Sequence, residues 1–207
     1  KSNHGKVGNK GYTSGQTRDP PPPPPAPHTD TVTTYTGTDP SAAAAVASAA
    51  DVAIVFVSTT SSEGSDRSSL SFGADQNAMV DAVAKAKPAG GTVVVMVNPG
   101  AVLTPWAGSV SAAITMFMPG LEMGNALADV LYGDVNPSGR LPLTFPNVEN
   151  EVNFTKSQWP GLSVPTGLER HYTEKLEVGY RWYDANGVSP KFAFGHGLSY
   201  TAFEYSG

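Results

Sequence analysis

Asp51-Val52-Ala53-Ile54-Val55-Phe56-Val57-Ser58-Thr59-Thr60-Ser61-Ser62-Glu63-Gly64-Ser65-Asp66-Arg67 decides the fold. Its first half is a continuous apolar run dominated by β-branched and aromatic residues, and it is too short for a normal helix. Such a run predicts a strand buried on both faces, as in a parallel sheet. The second half turns polar and delivers Glu63, with Asp66 and Arg67 just behind. Open α/β sheets place their chemistry on such loops, at the C-terminal ends of buried strands.

Working outward, Asp39-Pro40-Ser41 opens an alanine-rich run to Ala50, which predicts a helix with proline in its first turn. Gly73 to Lys87 predicts a second helix, and Thr92 to Val97 a second buried strand ending in Asn98-Pro99-Gly100. Ala112 to Met118 reads as a third strand, and Glu122 to Leu131 as a third helix with Gly133 beyond its end. Strands alternating with helices predict a layered αβα sandwich with a mostly parallel sheet. Parallel strands bring three loops to one edge: Ser58–Arg67, the turn after Asn98, and Met118 to Glu122. Beyond Gly133 the turn formers thicken, residues 147–176 read as irregular, and Glu177 to Asp184 reads as an aromatic strand closed by a turn at Asn186-Gly187.

Residues 1–38 differ in kind. Gly5, Gly8, Gly11 and Gly15 alternate with polar residues, and Pro20 to Pro25 with Pro27 predict a polyproline II rod. The boundaries are therefore an extended arm over 1–38 and an α/β sandwich over 39–207. Clustered proline and threonine suggest hydroxylation and O-glycosylation, and the arm reads as an assembly element.

Composition narrows the classes. The 207 residues carry a net charge of −5. Residues 1–28 hold Lys1, Lys6, Lys10 and Arg18 against Asp19 alone, so the acidity lies in the body, which argues against a nucleic-acid partner. No apolar run approaches the roughly 20 residues of a membrane span. There is no cysteine, so neither a disulfide nor a thiolate metal site is available. No cofactor is implied. Asn153-Phe154-Thr155 is an N-glycosylation sequon. With a start at Lys1, it suggests a processed, secreted glycoprotein.

Several motifs together resemble a known family. These are Ser62-Glu63-Gly64-Ser65-Asp66-Arg67, Pro119-Gly120-x-Glu122-x-Gly124-Asn125, Asn125-Ala126-Leu127-Ala128-Asp129-Val130-Leu131-Tyr132-Gly133-Asp134-Val135-Asn136-Pro137-Ser138-Gly139-Arg140-Leu141-Pro142, Val178-Gly179-Tyr180-Arg181 and Phe194-Gly195-His196-Gly197-Leu198-Ser199-Tyr200-Thr201. Over residues 39–205 they resemble, in order, the C-terminal α/β-sandwich domain of glycoside hydrolase family 3, the β-glucosidases and β-xylosidases. The resemblance implies a retaining enzyme whose aspartate nucleophile lies in a TIM barrel, with Glu63 as the acid/base. Retaining hydrolysis needs two carboxyl groups about 5–5.5 Å apart. It also implies a carbohydrate substrate and a sugar-facing edge that includes Ser62, Asp66, Arg67, Asn98, Leu121 and Glu122. Leu121 stands where relatives commonly carry glutamine, and Ser62 where they commonly carry glycine.

A TIM barrel takes about 250 residues, so this stretch cannot contain one, and the first strand and helix of the sandwich are replaced by the arm. Alone it is expected to be inactive. Asp66 and Arg67 are expected to form an ion pair that shapes the loop. Glu122 reads as a helix N-terminal charge, His196 as a turn histidine, and Trp106, Trp159 and Trp182 as packing residues. Three readings stay open: a domain of a family 3 glycosidase that acts with a barrel in another chain, an extracellular structural protein that self-assembles into filaments through its arm, and a carbohydrate-binding module.

Overall fold

The computed structural model describes residues 29–87 and 90–204. The polyproline reading and the modifications expected of the arm's prolines lie outside these residues, as does most of the arm.

The element order is α1 (Pro40–Ser48), β1 (Ala53–Ser58), α2 (Ala74–Ala86), β2 (Thr92–Val97), a 3-10 turn at Pro105–Gly108, β3 (Ala112–Thr115), α3 (Met123–Tyr132), β4 (Leu162–Val164), β5 (Gly167–Glu169) and α4 (Tyr180–Asn186). Asp39 caps α1, its carboxylate accepting from the Ser41 N–H at 2.9 Å, with Pro40 at the first helical position. Gly133 ends α3 in the left-handed conformation that favours glycine.

β1, β2 and β3 form one parallel sheet in that order, with Val55 beside Val94 and Val95 beside Ile114. The core lies on one face of it. Ala53, Val55 and Val57 of β1 and Val94 and Met96 of β2 pack with Ala43 and Ala47 of α1, Val80 and Val83 of α2, and with Trp106, Leu141 and Phe145. The alanines let α1 approach closely, and the β-branched residues suit the pleated surface.

β1 is not buried on both faces, contrary to the expectation from its apolar run. It is an edge strand, and burial alternates along it. Val52, Ile54 and Phe56 are 56%, 43% and 57% exposed. The second face is closed over β2, where Val95 is fully buried, and bare over β1. Burial depends on a covering layer, and none of the described residues supplies one there.

β3 is shorter than expected, since Phe117 takes a positive φ of 51° just beyond Thr115. The irregular stretch contains a small antiparallel hairpin, β4–β5. The aromatic strand predicted at Glu177 to Asp184 is instead helix α4, with Tyr183 buried and Gly187 as its left-handed cap. Aromatic content suggested a strand, but the hydrogen bonds from Trp182 N–H and Tyr183 N–H back to Gly179 O start a helix.

The C-terminal segment clasps the segment after α3. Leu141 N–H donates to His196 O and Gly195 N–H to Leu141 O, each at 2.8 Å, and Phe145 pairs with Phe192. His196 serves this turn through its backbone and lies against the Phe192 ring. At Gly197 an added Cβ would come within 2.6 Å of Gly139 O, so glycine is required by the closeness of the two chains.

Candidate active-site edge

Parallel register sets the C-terminal ends of all three strands on one edge. The loop from β1 to α2 leaves through Thr59, whose N–H extends the sheet to Val97 O at 3.1 Å. Its tip is a tight turn in which Ser62 and Ser65 form an isolated antiparallel bridge and Gly64 takes φ 75°. Glu63 stands on that turn, exposed. It has no hydrogen-bond or ion-pair partner among the described residues.

Inside the loop is a depression of about 540 Å³, with Ser62, Asp66, Arg67, Ser69 and Phe72 in its wall. Glu63 is not part of that wall, although its neighbours Ser62 and Ser65 are. The lining is rich in hydroxyl groups, which can both donate and accept, as a polyol requires.

Asp66 and Arg67 do not form the expected ion pair. Arg67 turns away and donates from Nη2 to Ala101 O at 2.9 Å, while its buried Nη1 has no partner among the described residues. Consecutive residues in an extended loop project in different directions, so adjacency in sequence did not bring the charges together. Arg67 instead joins the first loop to the turn after β2.

Asn98 was expected on the sugar-facing edge, but its side chain is fully buried and points inward. Its Nδ2 donates to Gly100 O at 2.6 Å, and its Oδ1 accepts from Thr115 Oγ1 at 2.9 Å. It shapes the β2 turn and ties it to β3. Leu121 is 97% exposed, and Glu122 stands at the N-cap position of α3 without a side-chain bond to the helix backbone, its carboxylate accepting instead from Asn125 Nδ2 at 2.6 Å. Both stay at the surface, and among the described residues neither hydrogen-bonds to the Glu63 loop.

Trp106 is buried and donates from Nε1 to Asn77 Oδ1 at 3.0 Å. Trp182 is half-buried against Tyr183. Trp159 is 48% exposed, with the Arg170 guanidinium 5.5 Å from its ring centre. Asn153 is exposed, and its N–H donates to Asn150 O. Among the described residues no group of three His, Asp or Glu side chains is placed to hold a metal ion, and no helix is long and apolar enough to cross a membrane.

Sequence reasoning passed over Glu149, although its carboxylate Oε1 accepts from both Ser69 Oγ and Leu70 N–H at 2.5 Å. It also passed over Glu151, which accepts from Tyr183 OH at 2.7 Å and from both the N–H and Nδ2 of Asn147. Burial pushes the Tyr183 hydroxyl well above its ordinary range, and the Glu151 charge adds to that. Burial pushes the Glu151 carboxyl up as well, but the bonds from Asn147 and Tyr183 together outweigh it and hold it below its ordinary value. Both glutamates lie in a stretch without periodicity, where nothing in sequence marks a partner 79 or 32 residues away.

The family description "Glycosyl hydrolase family 3 C-terminal domain" matches residues 5–200. The thermostable β-glucosidase B of Acetivibrio thermocellus is 44% identical over 159 residues, covering 75% of this chain and 20% of that protein. The β-glucosidase B of Emericella nidulans is 43% identical over 168 residues, with the same shares. The β-glucosidase DesR of Streptomyces venezuelae, solved with D-glucose, superposes with a TM-score of 0.73 at 41% identity, over 79% of this chain and 20% of that one. The β-D-glucoside glucohydrolase of Trichoderma reesei gives 0.71 at 35% identity, over 82% and 24%. The chain thus spans about a fifth of the length of these relatives.

Proposed function

The chain belongs to glycosyl hydrolase family 3, as the C-terminal domain of that family, and we propose that it supplies the acid–base half of a retaining β-glucosidase through Glu63. The placement of Glu63 carries the reading. It stands exposed, with no partner among the described residues, at the tip of the loop after β1, on the edge where the sheet's C-terminal ends converge.

A barrel domain carries the nucleophile. Its carboxylate attacks the anomeric carbon while Glu63 donates a proton to the leaving glycosidic oxygen. Glu63 then accepts a proton from the water that hydrolyses the glycosyl-enzyme. The 207-residue chain alone is inactive, because without the nucleophile no covalent intermediate forms. Asp66 and Ser62 meet the sugar at the depression, whose wall includes Arg67, while Asn98 shapes the β2 turn. The enzyme is secreted, with Asn153 glycosylated on its exposed turn.

The test is turnover of aryl β-glucosides by the chain joined to a family 3 barrel. Glu63→Gln should lower turnover roughly 10²–10⁴-fold, with azide partly restoring cleavage of substrates that have good leaving groups. Unchanged turnover in Glu63→Gln would sink the reading.

A second reading is favoured by one observation, the bare outer face of edge strand β1. Unpaired strand edges template pairing with another chain, and a head-to-tail contact that does not close builds a filament. In this reading the domain is an extracellular structural protein. Concentration-independent monomers in light scattering would exclude it.

A further inference from the structure

The β1–α2 loop is held very unevenly. Among the described residues its tip, with Glu63, is braced by the Ser62–Ser65 bridge, and Arg67 behind the tip donates from Nη2 to Ala101 O at 2.9 Å. Its stem is anchored by a continuous hydrogen-bond chain. Ser69 Oγ accepts from Ser71 N–H at 2.9 Å, and Ser71 Oγ accepts from Asn77 Nδ2 at 3.1 Å. Asn77 Oδ1 accepts from the buried Trp106 Nε1 at 3.0 Å. That chain reaches into the core at one end. At the other it ends on a single atom, Glu149 Oε1, which takes the Ser69 hydroxyl and the Leu70 N–H together.

Glu149 is itself firmly mounted. Before it, Asn147 Nδ2 donates to Ser189 O at 2.9 Å and to Glu151 at 2.8 Å. After it, Asn150 closes a turn with Phe154 through two bonds, at 2.9 and 3.0 Å. A charged acceptor with two donors is stronger than a neutral one. Here it fixes the stem at Ser69, three residues beyond Asp66, from a segment 80 residues away in sequence.

We propose that Glu149 is a positioning residue for the acid–base loop. It touches no substrate. It latches the stem at Ser69 and Leu70, and through the stem sets where the turn carrying Glu63 stands relative to a sugar. This rests on the reading of Glu63 as the acid/base.

Hydrogen exchange on the 207-residue chain gives the first test, comparing Glu149→Ala, Glu149→Gln and Ser69→Ala. The Leu70 amide should exchange about tenfold faster in Glu149→Ala, and less fast in Glu149→Gln, whose amide oxygen still accepts. Rates at Val94 and Val95 should stay as in the parent, showing that the sheet is intact. Ser69→Ala leaves the carboxylate in place, so it serves if Glu149→Ala does not fold. With the barrel joined, Glu149→Ala should lower kcat with KM little changed and should displace the alkaline limb of the kcat/KM profile, with Glu149→Gln restoring part of both. An unchanged Leu70 amide, or a displaced limb that Glu149→Gln leaves fully unrestored, overturns the proposal. If Leu70 responds while Glu63→Gln retains full activity, the latch stands and the acid–base reading falls.

Discussion

The backbone N–H of Tyr200 donates to Asn136 Oδ1 at 2.7 Å across 64 residues of sequence. Asn136 also donates from Nδ2 to Ser199 Oγ at 2.9 Å, and the Tyr200 hydroxyl donates to Val130 O of α3 at 2.8 Å. Two of the motifs quoted above, the one ending at Pro142 and the one beginning at Phe194, are thus two sides of one clasp, completed by Arg140 Nη1 donating to Gly197 O. Replacing Asn136 by alanine removes both its donor and its acceptor. Stability should fall by about 1–3 kcal/mol, read from urea unfolding. Asn136→Asp, which keeps an acceptor for Tyr200 but loses the donor, should fall between the two.

Trp106 is fully enclosed, and its one polar atom is satisfied by Asn77. Trp106→Phe leaves the Asn77 oxygen without its partner and removes part of the core's volume. A loss of roughly 2–4 kcal/mol is expected. Asn77→Leu in the same background removes the orphaned oxygen but also the Nδ2 donor to Ser71 Oγ, so it should recover only a small part of the loss. A double-mutant cycle on unfolding free energies measures the coupling.

Glu151 and Tyr183 give the fold a defined pH window. The Glu151 carboxyl is held below its usual 4.5 in the folded state, so its contribution is complete above that value and is lost as the pH falls through 4.5 and lower. The Tyr183 hydroxyl is raised above its usual 10.0, so its contribution is complete below 10.0 and is lost as the pH rises beyond it. Tyr183→Phe should therefore lower thermal stability on the plateau between these limits. It should also flatten the alkaline fall relative to the parent, in melting curves taken from pH 3 to 11.

Much of this architecture could be read from residues alone. Thr92 to Val97 reads as a strand and is one, because a short run of β-branched residues between a Gly-Gly turn and Asn-Pro-Gly has few alternatives. The α1 start was legible from Asp39 and Pro40 for a similar local reason. Local signals failed where partners decided the outcome. The apolar run of β1 says nothing about which of its faces will be covered. Tyr180 to Tyr183 has strand composition, yet the turn at Gly179 makes it a helix. Glu63 could be placed on its loop because loop and strand are contiguous. Glu149 could not, because its donors lie on the far side of the fold.

The uncovered face of β1 governs how the domain behaves when handled by itself. Among the described residues, Val52, Ile54 and Phe56 face solvent beside a strand edge that none of them pairs, a combination that promotes aggregation. Phe56→Lys should raise the soluble yield and the onset concentration of turbidity, with little change in urea midpoint, since the ring contributes little to the core. Solubility and stability would then be separate properties of this domain, adjustable at different residues. A shelf-stable version would be made by repainting one strand, without repacking the interior.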